Sequence, residues 1–240
     1  MEELEIQGHT IVVLGKWNPS IFSPAWLRLN KLIGEEEQEA SQVHFVVEPA
    51  ASFQTDWLAV NVTHAQLVLA TTMPSEYQRL RDTAVGILTV LGQTPVSAIG
   101  LNVEAHWKPS DYDEWHRFGD ALEPKEFWEE SLLLPGLQSL TTRGSRRDLW
   151  AGYQDVTIEP SIRIPASIYA RVNDHFWLRR VESQPASRAE FFEEKFRLPP
   201  VEPSFENVGH ALSILGDDWS GSLERSESLL RRLVALSRSS

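Results

Sequence analysis

Trp57-Leu58-Ala59-Val60-Asn61-Val62 and Leu67-Val68-Leu69-Ala70-Thr71-Thr72, separated by Thr63-His64-Ala65-Gln66, decide the fold. The first run alternates and the second is apolar and β-branched. Together they predict a hairpin, although the loop lacks the Asn-Gly or Asp-Gly of the strongest hairpin turns. Met73-Pro74 stops the second strand, because proline offers no amide to a ladder. Ser75 then stands at an N-cap position with Glu76 in the first turn. From there Tyr77, Leu80, Ala84, Ile87, Leu88 and Leu91 recur at spacings of three and four, the apolar stripe of a helix. Gly92 ends it and Thr94-Pro95 forces extension. Val96, Ile99, Leu101, Val103, Ala105 and Trp107 supply a further strand, the last four in strict alternation.

Outward from this block, His9–Gly15 and Val43–Glu48 read as strands. Ser23-Pro24 reads as an N-cap with proline at the first helical position, opening a helix that runs to about Ile33 and ends at Gly34. Glu35–Glu39 reads as an acidic loop and Pro109–Asp120 as a polar, aromatic one. Pro124–Leu134 reads as a helix, Leu137–Thr142 as a strand and Arg143–Asp148 as a basic turn. A second β region covers Ala151–Glu159, Ser161–Pro165 and Ile168–Arg180. Within it Asn173-Asp174-His175 reads as a hairpin tip between Ala170/Val172 and Phe176-Trp177-Leu178, echoing Val60 and Val62 before Thr63-His64. Ser187–Phe196, Ser204–Leu215 and Ser222–Leu236 read as helices, with Leu198–Pro203 as a linker.

The expected fold is therefore α+β: antiparallel sheet with helices packed on one face, in two related hairpin–helix halves. Residues 1–136 form an acidic half, with 8 Lys+Arg against 20 Asp+Glu. Residues 137–240 form an arginine-rich half, with 14 of each and closing C-terminal helices. One continuous domain is the alternative division.

Composition narrows the function classes. The net charge of −12 disfavours general nucleic-acid binding, because an acidic surface repels phosphate backbones. No run approaches 18 uninterrupted apolar residues, so no membrane partner is expected. Zero cysteines remove disulfides, thiolate catalysis and cysteine-ligated metals. With an acidic Met-Glu-Glu-Leu-Glu start, this predicts a cytoplasmic protein. There is no phosphate loop, dinucleotide fingerprint, nucleophile elbow or His-Glu-x-x-His helix, so no catalytic residue and no cofactor is assigned.

Three weaker constellations remain. His106, Asp111, Asp113 and His116 carry donor types that ligate divalent ions, but their spacing matches no tight ligand pattern. Arg143, Arg146, Arg147, Arg163 and Arg171 carry guanidinium forks that grip carboxylate or phosphate, and would form an anion-binding face if their strands lie together. Of nine tryptophans, Trp107, Trp115 and Trp128 sit in polar context and are the expected exposed anchors for another protein or a second copy.

Leu14-Gly15-Lys16-Trp17-Asn18-Pro19, Thr94-Pro95-Val96-x-Ala98-Ile99-Gly100-Leu101-Asn102 and Val172-Asn173-Asp174-His175-Phe176 together resemble a sporadically distributed family of uncharacterised bacterial proteins of about this length. The resemblance implies a bacterial protein from a mobile-element or defence neighbourhood and brings no catalytic residue. The leading expectation is a non-catalytic protein-binding or assembly protein, the accessory, antitoxin-like or structural member of a bacterial multi-protein system of the defence or toxin–antitoxin kind. The alternatives are a metal- or acid/base-dependent hydrolase or nuclease using the His/Asp loop or Asp174 and His175, and an arginine-faced sensor of a small anion.

Overall fold

A computed structural model of the chain describes residues 4–197 and 201–239. It opens with β1 (Ile6–Gly15) and a short 3-10 turn, then α1 (Pro24–Leu29), where the Ser23 hydroxyl accepts from the Trp26 amide at 3.2 Å as an N-cap. Glu35–Glu39, expected as a loop, is a short helix, α2. The Glu37 carboxylate caps it by accepting from the Gly34 amide (2.6 Å), and also takes Trp57 Nε1 (2.6 Å) and Arg79 (2.7 Å). The acidic run thus ties α2 to Trp57 and to Arg79 further along the chain.

A meander of β2 (Gln42–Val47), β3 (Ala50–Gln54), β4 (Ala59–Thr63) and β5 (Gln66–Thr71) follows, then α3 (Tyr77–Val90) and β6 (Val96–Trp107). The expected helical stripe of Tyr77, Leu80, Ala84, Ile87 and Leu88 is buried. Pro109–Asp120 is not a loop throughout: α4 (Tyr112–Leu122) starts at Asp111, whose carboxylate accepts from the Glu114 amide at 2.7 Å. The helix expected over Pro124–Leu134 shrinks to α5 (Glu126–Glu129).

The remaining strands are β7 (Leu140–Ser145), β8 (Trp150–Pro160) and β9 (Ile168–Arg180), followed by α6 (Arg188–Arg197), α7 (Asn207–Ser213) and α8 (Trp219–Ser239). A π-helical turn, Ile214–Asp218, joins α7 to α8. Part of the expected linker, residues 198–200, lies outside the described residues. Asn173-Asp174-His175 is corrected by β9: it is the middle of a 13-residue strand, paired to β6 and β8 on its two sides, and not a hairpin tip. No helix of the described residues is long and apolar enough to cross a membrane.

The nine strands described form one antiparallel sheet in the order β2-β3-β4-β5-β1-β6-β9-β8-β7. One sheet joins the sequence on either side of residue 136, because β6 pairs with β1 on one edge and with β9 on the other. Two runs of similar order meet at β1 and β6: a strand, two short helices, a meander that returns beside that strand, then a helix.

Alternation decides which face is covered. Ile11 and Val13 of β1, Leu67 and Leu69 of β5, Ile99 and Leu101 of β6, and Phe176 and Leu178 of β9 share one side. There α3, α7 and the start of α8 bury them, each large side chain contributing about 1.5–3 kcal/mol of transfer free energy. Val103, Ala105 and Trp107 continue the row beneath Phe118 of α4 and Leu230 of α8. Helices α3, α4, α7 and α8 pack on this face; on the other, Phe191 of α6 comes up to Tyr153 and Trp177 at one end, and the centre of the sheet is left uncovered.

Candidate functional site

The uncovered face can be read row by row from the strand register. One row across the sheet is Tyr153, His175, Gly100, Val12, Val68, Asn61. The next is Arg143, Asp155, Asn173, Asn102, Thr10, Ala70, Ala59. A third is Thr157, Arg171, Glu104, Gly8. One wing is small and apolar, and the other is polar and aromatic.

The centre is hollow because the residues there are small. At Gly100 an added Cβ would lie 3.3 Å from Asn173 Oδ1 and 3.6 Å from Asn102 Nδ2, so the two amides lean over a bare backbone. A depression of about 360 Å³ results, floored by Thr10, Val12 and Gly100 and walled by Asn102, Asn173, Tyr153 and His175. A second hollow of about 340 Å³ shares Thr10 and Glu104 with it, so the two run together across the face.

The polar wall is internally braced. Arg143 forks onto Asp155 (2.6 and 2.5 Å) and its guanidinium lies 3.7 Å from the centre of the Tyr153 ring. Tyr153 stacks on His175 at 4.6 Å with 17° between the ring planes. Burial, helped by Arg143 and Arg146 nearby, lowers the His175 pKa to about 4. The imidazole is therefore neutral near pH 7 and a weak proton acceptor; it serves as an aromatic surface with hydrogen-bonding nitrogens. At the far side Glu104 takes Arg163 (3.2 Å) and the Tyr169 hydroxyl (3.2 Å).

The arginine set of the sequence divides. Arg143 and Arg171 lie on the uncovered face, and Arg163 stands in the β8–β9 connection beside it. Arg146 is on the helix side, its side chain 1% exposed, bound to Asp148 and Asp174, while Arg147 is exposed in the β7–β8 connection. These five do not make one face, because successive residues in and after β7 point to opposite sides.

The metal candidates do not converge. His106 is buried in β6, its Nδ1 2.9 Å from the Ser161 hydroxyl, whereas Asp111 is the α4 cap and Asp113 and His116 are exposed on α4. No group of three or more His, Asp or Glu side chains placed to hold a metal ion occurs among the described residues.

Of the tryptophan anchors, Trp107 is corrected: it is 1% exposed, packed on Phe118, with Nε1 donating to Ser237 Oγ at 3.2 Å. Its parity with Leu101, Val103 and Ala105 puts it on the helix side. Trp115 is half-buried and stacked on the exposed Tyr112. Trp128 is exposed beside Phe127 (77% exposed), in a segment that also bares Leu133 (93%) and Leu134. Sequence reasoning passed over Thr10, quoted Gly100 and Asn102 only within a motif and placed Asn173 at a turn; their meeting follows only from the register of strands distant in sequence.

No protein-family model matches the chain, and no curated protein matches it.

Proposed function

We propose that this chain is a non-catalytic binding protein, an assembly or accessory component that receives a protein partner on the uncovered face of its sheet. The observation that supports the reading is the hollow at Gly100, where Asn102 and Asn173 present amides over bare backbone on the side of the sheet opposite α3, α7 and α8. Amides donate and accept, so they match the backbone and polar side chains of a protein segment without demanding one charge. The braced Tyr153–His175 wall adds rigid aromatic area, the kind of surface that anchors interfaces. Exposed Phe127, Trp128, Leu133 and Leu134 supply a second apolar contact. A bacterial and cytoplasmic setting belongs to the proposal and rests on the cysteine-free composition and the motif resemblance.

The test is affinity capture from native lysate with the wild-type chain and with Asn102→Arg, whose side chain would fill the hollow. A stoichiometric protein held by the wild type and lost from the variant, at unchanged melting temperature, is the expected result. Equal capture by both, or a wild-type chain that stays alone and turns over a substrate, would overturn the reading.

A further inference from the structure

A third concavity lies on the helix side, away from the two hollows of the uncovered face. It is about 340 Å³ in volume and opens between the β7–β8 connection and α8, with Arg146 and Arg147 on one wall and Arg225 and Arg232 on the other. Arg225, Ser228, Leu229 and Arg232 fall at spacings of three, four and seven, one stripe of α8 turned to the crevice.

The charges separate into two sets. Arg146 binds Asp148 and Asp174, and Arg225 stands 3.5 Å from each of the same carboxylates. Two guanidiniums against two carboxylates make this base neutral. The Ser222 hydroxyl, donating to Asp174 at 2.5 Å, locks it to α8. Arg147 and Arg232 are both exposed, and neither has an ion-pair partner among the described residues. Glu224 offsets one of these two charges. The rim therefore keeps a surplus of positive charge in a chain of net charge −12. At physiological salt the Debye length is about 8 Å, so distant acidic residues are screened while guanidiniums lining the crevice act at contact.

We propose that this crevice binds a phosphate group, as the free ion or as a small monoester. Guanidiniums on opposite walls suit a tetrahedral oxyanion approached from several sides; a planar carboxylate is satisfied by one fork. Ser228 and Gln154 add neutral donors at the same crevice. The volume exceeds what a bare phosphate fills and leaves room for the ester's substituent.

The test uses the whole chain, titrated with inorganic phosphate, adenosine monophosphate and adenosine, each against sodium chloride of equal ionic strength, with melting temperature and calorimetric heat as readouts. Saturable binding of phosphate or the monophosphate, with adenosine silent, is expected. The relative affinity of the two phosphates tells the free ion from the monoester as the ligand. Arg147→Glu/Arg232→Glu is expected to weaken binding by about tenfold or more, and Glu224→Gln to tighten it. Both arginines are exposed, so the variant's own melting temperature should match the wild type. No saturable response above the salt control, an equal response in the double variant, or adenosine binding as well as its monophosphate would each overturn the proposal. Failure here leaves the uncovered face untouched, because Asn102→Arg lies on the opposite side of the sheet.

Discussion

His9 of β1 and Trp219 at the start of α8 face each other in the core with ring centroids 4.8 Å apart, and among the described residues no group hydrogen-bonds the ring nitrogens of either. Tyr77 of α3 closes on the same imidazole at 4.9 Å, and its hydroxyl is also without a partner among the described residues. Three elements therefore meet on polar groups, at a place where apolar ones would cost less.

Acid should expose this weakness. Burial lowers the His9 pKa to about 4, against about 6.5 in an unfolded chain. Between those values the unfolded state binds more protons, so stability is full above about pH 6.5 and falls as pH drops toward 4. The loss from His9 reaches about 3 kcal/mol, and His175, lowered to a similar value by burial, adds to it in the same window. His9→Phe should raise stability near pH 7 by about 1 kcal/mol and flatten this slope in part. Urea midpoints from pH 4 to 7.5 measure both; a slope identical in the variant would remove His9 from the account.

The Arg146–Asp174 pair should behave as a buried ion pair whose halves are worth more together than apart. Both side chains are nearly inaccessible, at 1% and 2%. Asp174→Asn leaves the guanidinium short of a charge and should destabilise by about 3 kcal/mol, while Arg146→Met/Asp174→Leu should cost less than the sum of the single changes. Denaturant unfolding in a double-mutant cycle decides it, and additive losses would show that the pair is not coupled.

Gly152 should tolerate no side chain. Its φ is +142°, and an added Cβ would lie 2.0 Å from the His175 carbonyl oxygen across the β8–β9 ladder. Gly152→Ala is expected to cost about 3 kcal/mol or more, whereas Gly144→Ala, with nothing within 4 Å of the new Cβ, should stay within about 0.5 kcal/mol. Thermal melts of the two variants make the comparison.

Leu133→Ser/Leu134→Ser should leave stability within about 0.5 kcal/mol, because both side chains already meet solvent. What should change is association: light scattering at rising concentration is expected to show less self-adhesion than the wild type. A large drop in melting temperature would instead mean that the segment packs on the body of the protein.

Much of this arrangement is visible in local pattern. The stripe from Tyr77 to Leu88 and the alternation from Leu101 to Trp107 describe a helix over a strand, as found. The same alternation places Trp107 inside, but its polar neighbours His106 and Lys108 suggest exposure. In β9, Ala170, Val172, Asp174, Phe176 and Leu178 share one parity; the turn-like composition of Asn173-Asp174-His175 hides that regularity. β3 has no β-branched residue in Ala50–Gln54, hence no strand signal. The α4 start was legible as Asp111 three residues before Glu114, a cap read instead as metal chemistry. The hollow itself has no local signature, since Thr10, Asn102 and Asn173 become neighbours only through long-range pairing.

That central pairing has a consequence for how the protein is made. β1 appears early along the chain and β6 begins only at Val96, so the middle of the sheet waits for distant sequence. When β6 emerges, its second edge stays bare until β9 arrives at Ile168, and Trp107, met early by Phe118, finds its hydrogen-bond acceptor only at Ser237. While β6 waits for β9 its free edge is the kind of surface that pairs with another chain, so the order of synthesis leaves an interval in which the unfinished sheet is open to misassembly.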